Sequence, residues 1–214
     1  MKMGQSHGRR AFTLVEGVVV VAVVAVLSVV FLPGLMRAKT RSRIHCVGNL
    51  KEVGIAFRIW EGDNGDKYPM QVPVALGGAR ELIATGNVAG CFQVMSNEVS
   101  APKILTCPED ARHKAATNWA GLNRLDMSYF IGSDVAETDP QGVLSGDANL
   151  VQNGRVVAAG RVDLGSNSVS WTRDRHQRMG NILMTDGSVQ TAGRIAFTNW
   201  NGVACFPTNT VVAP

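Results

Sequence analysis

Between Phe12 and Leu32 lie 21 residues, of which only Thr13, Glu16 and Ser28 are polar and ten are valine. A helix of that length spans about 31 Å at 1.5 Å per residue, the thickness of a bilayer's hydrocarbon core. Sheet strands are seldom half as long, and a lipid-exposed segment must satisfy its backbone internally. The run therefore predicts a transmembrane helix. A secretory signal peptide has a shorter apolar region, about 7 to 15 residues, closed by a small-residue cleavage site. Here the run passes into Pro33-Gly34-Leu35-Met36-Arg37 instead. Glu16 is the anomaly, because an acidic residue near the bilayer centre costs at least about 2.5 kcal/mol. Either it stays hydrated at the headgroup boundary or it has a dedicated partner.

The formal net charge of +4 over 214 residues belongs to the N-terminus. Lys2, Arg9 and Arg10 precede the apolar run, and Arg37, Lys39, Arg41 and Arg43 follow it. From residue 44 onward 14 basic residues face 16 acidic ones, a net of −2. The body of the chain thus lacks the basic face that nucleic-acid binding requires, and no nucleic-acid partner is expected. Basic groups flank the span on both sides, so the positive-inside rule does not orient it. The cluster after the span suits anionic lipid headgroups, acidic faces of other subunits, or plain solvent.

Past the apolar run, Cys46, Leu50, Val53, Phe57 and Trp60 recur at steps of 4, 3, 4 and 3, one seam of an amphipathic helix. Residues 12–32 and 33–61 then read as two halves of one long helix. Pro33 is expected to kink it, and Gly62-Asp63-Asn64-Gly65-Asp66 to end it. Residues 62–214 read as a head. "ARELIATG" and "CFQVMSNEV" predict short helices, with Gly86 and Gly90 as punctuation. "KILTCPEDARHKAATNW" predicts an extended piece, a turn at Cys107-Pro108 and a helical turn. "MSYFIG", "GVLSGDA", "RVVAAGRVD", "SVSWT", "NILMT" and "SVQTA" predict strands, the last two joined by a tight turn at Asp186-Gly187. The fold class is α+β: a long N-terminal transmembrane and amphipathic helix packed on a small antiparallel-sheet head.

Four cysteines without a C-x-x-C pair support neither a zinc ribbon nor a thioredoxin motif. In an oxidising compartment they allow three connectivities for two disulfides. The pairing expected is Cys46 with Cys107 and Cys91 with Cys205, the alternative being that some stay free as small buried hydrophobes.

Basic residues, a small residue, then Phe12-Thr13-Leu14-Val15-Glu16 and a long apolar run resemble the N-terminal signature of type IV prepilins and type II secretion pseudopilins. "CVGNLKEVGIAFRIW", "FQVMSNEVSAPKILTCPED", "MSYFIG", "GDANL" and "GNILMTDGSVQ", with His176 nine residues ahead of Asp186-Gly187, resemble the His-x9-Asp-Gly group of prepilin-like proteins of planctomycete and verrucomicrobial bacteria. The resemblance covers nearly the whole chain and implies a pilin-like architecture. It implies that residues 1–11 are a leader, cut between Ala11 and Phe12 by a prepilin peptidase at the inner membrane, with methylation of the new terminus. Ala11 departs from the family's usual Gly before the cut. Glu16 falls at the fifth mature position, and Pro33 where many pilins carry a helix-kinking proline.

The implied function is a structural subunit that joins like subunits on a secretion or pilus assembly platform, forming a type II pseudopilus or a type IV pilus-like filament. The implied location is the inner membrane, single-pass, with the head in the periplasm. In such a filament the Glu16 carboxylate would meet a neighbour's charged terminus, a pair whose breaking costs about 3 to 5 kcal/mol. Two other classes remain beside it. A membrane-anchored binding module would recognise a secreted substrate or surface ligand with exposed aromatics near Trp119, Trp171 or Trp200. An anchored enzyme would need an oriented base and a nucleophile; Ser128, Ser170 and Ser188 exist, but none stands in a Gly-x-Ser-x-Gly elbow, and the chain is expected not to be an enzyme. No cofactor is expected, apart from a weak case for Ca²⁺ on Asp147 and Asp186 with backbone oxygens. The alternative for the family motif is structural, with Asp186 making the hairpin turn and His176 fixing it by a local hydrogen bond.

Overall fold

The computed structural model describes residues 13–139, 142–164, 168–196 and 210–213. The chain forms two compact units, residues 1–41 and residues 42–214. Helix α1 (Leu14–Asp63) is 50 residues long and opens with a capping box. The Thr13 amide and hydroxyl both donate to Glu16 Oε2 at 2.9 Å, and the Glu16 amide donates to Thr13 Oγ1 at 3.3 Å. Thr-x-x-Glu at a helix start satisfies two orphan donors reciprocally. Pro33 falls within the bounds of α1.

The transmembrane expectation is corrected: among the described residues no helix is long and apolar enough to cross a membrane. Helix α1 does not stop with the apolar stretch but runs on through Lys51, Glu52, Arg58 and Glu61. It also carries Glu16 in its first turn.

In the larger unit, all five seam residues of α1 are buried: Cys46, Leu50, Val53, Phe57 and Trp60. The larger unit begins at Ser42, so this half of α1 is its core helix. Helices α2 (Arg80–Ala84) and α3 (Val88–Val94) join it. Gly90 lies inside α3, since the Asn87 side chain accepts from the Gly90 amide at 2.9 Å and starts the helix early.

Among the described residues ten strands follow: β1 (Tyr129–Gly132), β2 (Val143–Asp147), β3 (Leu150–Gln152), β4 (Arg155–Val156), β5 (Gly160–Asp163), β6 (Ser168–Trp171), β7 (Gly180–Met184), β8 (Val189–Ala192), β9 (Arg194–Ala196) and β10 (Thr210–Ala213). A six-stranded sheet runs β5-β10-β1-β2-β7-β8 and a four-stranded sheet β4-β3-β6-β9, with antiparallel pairing throughout. The segment "RVVAAGRVD" is two strands in different sheets.

Successive residues of a strand face opposite ways, and here both faces of the large sheet are covered. Tyr129, Ile131, Leu144 and Leu183 join the helices in one core. Phe130, Val143, Ile182 and Met184 join Leu150, Val169, Trp171 and Ile195 in a second core between the sheets. The larger unit is thus three-layered, with helices, large sheet and small sheet in that order. Trp171 lies against the backbone of Gly180, where an added Cβ would sit 1.9 Å from the indole, and its Nε1 donates to the Asp147 carbonyl at 3.1 Å.

Candidate functional site

Between β6 and β7 the chain makes an unusual turn. His176, Gln177 and Arg178 have φ of 48°, 56° and 69° in succession. Left-handed backbone costs a non-glycine residue about 1 to 2 kcal/mol, so three in a row persist only where the surroundings fix them. Those anchors are visible. Arg175 is buried, donates to the Ser128 carbonyl at 2.8 Å and meets Asp110 Oδ2 at 3.1 Å. The His176 amide donates to Glu109 Oε2 at 2.8 Å, and Arg43 Nη2 of α1 donates to the His176 carbonyl at 3.1 Å.

This turn drives the imidazole of His176 into the interior, where it is 2% exposed. Nδ1 lies 3.0 Å from Glu109 Oε2, close but off the line of a hydrogen bond. Nε2 lies 3.3 Å from Cys107 Sγ and 3.8 Å from Asp147 Oδ2. Cys107 is disulfide-bonded to Cys46 of α1, with Cα atoms 5.4 Å apart. Asp147, the last residue of β2, is fully buried. Its Oδ2 accepts from the Asn181 amide at 2.7 Å and from Asn181 Nδ2 at 3.0 Å, while Oδ1 has no partner. Burial raises the Asp147 carboxyl above its ordinary range against the pull of His176, the Asn181 amide and Arg175.

A second carboxylate lies alongside. Asp110 Oδ2 accepts from Ser128 Oγ at 2.7 Å, lies 2.6 Å from His113 Nδ1, and pairs with Arg175; Oδ1 accepts from the Arg112 amide at 3.1 Å. Burial alone would raise the Asp110 carboxyl, but Arg175 and these bonds outweigh it and hold it below the usual range. Burial likewise pulls the Arg175 guanidinium down, opposed by Asp110 and Asp147. A surface cleft of about 430 Å³, lined by His45, Asn49, Lys103, Cys107, Asp110 and His113 among others, opens on this cluster.

The residues singled out from the sequence are distributed unevenly around it. Cys46, Cys107, His176 and Asp147 come together. Asp186 and Gly187 do not: they form the β7–β8 turn, where the Gly187 amide donates to the Met184 carbonyl, φ of Gly187 is 83°, and Asp186 Oδ1 accepts from the Ser188 amide. Asp147 is beside Asn181 near the start of β7, whereas Asp186 lies five positions further along the chain, past the end of that strand, about 15 Å away. The two acids therefore do not share a calcium site, and His176 does not brace the hairpin. Ser128 is buried and bonded to Asp110, so it forms no serine–histidine pair. Trp171 is buried and Trp119 half-buried, which leaves no exposed aromatic groove at these two positions. Ala11, Phe12, Trp200 and Cys205 lie outside the described residues. Cys91 is buried and unbonded among the described residues, and burial raises its thiol.

Glu109, Asp110, Arg175 and Asn181 were not singled out from the sequence. The signal available was the acid pair immediately after Cys107-Pro108 and the Arg-His dipeptide at 175–176. No protein-family model, curated protein or solved structure matches this chain.

Proposed function

We propose that this chain is a structural subunit of prepilin-like type. In this reading a prepilin peptidase cuts between Ala11 and Phe12. The product assembles with like subunits, on a secretion or pilus assembly platform, into a type II pseudopilus or type IV pilus-like filament. The observation that carries the reading is the N-terminal part of α1. Val18, Val19, Val20 and Val21 are each more than half exposed, and four consecutive positions 100° apart sample every side of a helix. A helix apolar all round is stable only when surrounded, and a bundle of like helices surrounds it. The Cys46–Cys107 disulfide supports placing the head in an oxidising compartment of the cell envelope.

Two measurements test this. N-terminal sequencing of sheared filament fractions is expected to begin at a methylated Phe12, and mature protein still starting at Met1 would sink the processing step. The capping box gives Glu16 a local role that must be separated from pairing with a neighbour. Glutamine retains the box but not the charge. If the charge drives assembly, Glu16→Gln blocks filament formation as fully as Glu16→Ala does. Filaments formed normally by Glu16→Gln would reduce Glu16 to a helix cap.

A further inference from the structure

We propose that in its dithiol form this protein binds one Zn²⁺ through Cys46 Sγ, Cys107 Sγ, His176 Nε2 and the Asp147 carboxylate, so that the disulfide and the metal are alternative occupants of one buried site. This goes beyond the filament reading and does not depend on it.

The geometry carries the proposal. The ligating atoms of Cys46, Cys107 and His176 all lie within 4.8 Å of one another, and all three residues are buried. Zinc sits about 2.3 Å from thiolate sulfur and about 2.0 to 2.2 Å from imidazole nitrogen or carboxylate oxygen, so the edges of its tetrahedron measure roughly 3.3 to 3.8 Å. The Cys107 Sγ to His176 Nε2 distance of 3.3 Å and the His176 Nε2 to Asp147 Oδ2 distance of 3.8 Å each lie within about 0.5 Å of the sulfur–nitrogen edge of about 3.5 Å and the nitrogen–oxygen edge of about 3.4 Å. The two sulfurs must separate to about 3.7 Å, which side-chain rotation supplies across a Cα separation of 5.4 Å, and the Asp147 carboxylate, beside His176 but outside the 4.8 Å grouping of the other three, must turn toward them. Asp147 Oδ1 is buried with its lone pairs unused, an arrangement that costs stability unless something occupies it.

Part of the outer shell a zinc histidine requires is in place. Glu109 Oε2 stands 3.0 Å from Nδ1, off the line of a hydrogen bond as the ring now sits, and a small turn of the imidazole would let Nδ1–H donate to it with Nε2 as the ligand. Asn181 holds Asp147 through two hydrogen bonds. Because Cys107 also lines the surface cleft, the ion has a way in.

The reaction balances simply. A dithiol reductant delivers two electrons and two protons to the Cys46–Cys107 bond, giving two thiols and leaving the reductant as a disulfide. Each thiol then releases its proton to solvent as the thiolate takes the metal.

Co²⁺ titration of the full-length chain, reduced with a phosphine and kept anaerobic, tests this. One equivalent is expected to give thiolate-to-cobalt charge-transfer absorption and the intense visible bands of a tetrahedral site. Zn²⁺ should displace it, and the oxidised protein should show nothing. Asp147→Ala and His176→Ala should abolish the tetrahedral spectrum, Glu109→Gln should weaken affinity about 10- to 100-fold, and Cys91→Ser with Cys205→Ser should leave binding unchanged. Far-UV circular dichroism checks that the reduced chain and each variant keep their fold. Absence of the spectrum, its survival in His176→Ala, or a collapse on reduction that Zn²⁺ does not reverse overturns the proposal.

Discussion

Replacing Asp110 by asparagine leaves the guanidinium of Arg175 buried without its counter-ion. The two side chains are 6% and 2% exposed as residues and meet at 3.1 Å, with Ser128 and His113 on the same carboxylate oxygen. Asparagine preserves the volume but removes the charge. Stranding one member of a buried pair costs about 3 to 5 kcal/mol, a large share of a native margin of about 5 to 15 kcal/mol. For a unit of this size each kcal/mol moves the midpoint by about 2 to 4 °C, so thermal unfolding followed by circular dichroism should fall by roughly 6 to 20 °C. The sign with pH follows from the direction of the shift. Asp110 is held below its ordinary range, so its contribution is present above the unfolded value, about 3.9, and disappears as pH falls through the lower folded value. The gap between wild type and Asp110→Asn should therefore narrow below about pH 4. Adding Arg175→Met should restore part of the loss, because the stranded charge is gone. A single variant melting within 2 °C of wild type at pH 7, or a double variant worse than the single, would refute the reasoning.

Gly180→Ala should destabilise by about 3 kcal/mol in denaturant titration, since the new methyl meets the Trp171 indole at 1.9 Å; an unchanged midpoint would show that the indole moves freely. Breaking the Cys46–Cys107 link by Cys46→Ala with Cys107→Ala removes a cross-link spanning 61 residues, expected to cost about 4 kcal/mol in oxidised samples compared at equal temperature. Gln177→Gly relieves one left-handed residue with an exposed side chain. The gain of about 1 to 2 kcal/mol less the entropy of glycine should raise the midpoint by a degree or more, and a fall would mean the side chain has a role.

What the sequence makes legible follows from periodicity. The seam Cys46 to Trp60 and the alternation of β1, β2 and β7 are imposed by burial on one or both faces, and such patterns are written locally. The three strands not anticipated are either very short, as β3 and β9 are, or stand apart in sequence from the strands they pair with, as β10 does between β5 and β1. The site is legible only in part. Cys107 and His176 attract notice by residue type, but the contact between them joins positions 69 residues apart. The left-handed turn that makes the contact carries no glycine or asparagine to announce it. The separation of Asp147 from Asp186 is not written locally, because it depends on which end of the β2–β7 ladder each acid occupies. Glu16 stands out in the sequence as a costly charge, and its local bonding is equally legible there in the Thr13-x-x-Glu16 pattern of a capping box.

The Cys46–Cys107 bond also sets how a mechanical load travels. A pull entering along α1 reaches residue 46 and crosses covalently to residue 107, so the 60 residues between them bear no tension. Fully extended, that stretch would lengthen the chain by about 200 Å. With the bond intact that extension is unavailable at any force short of bond rupture, and α2, α3 and most of the helical core are unloaded. Opening the disulfide would turn a stiff connection into a compliant one, a difference that single-molecule stretching reads directly as contour length.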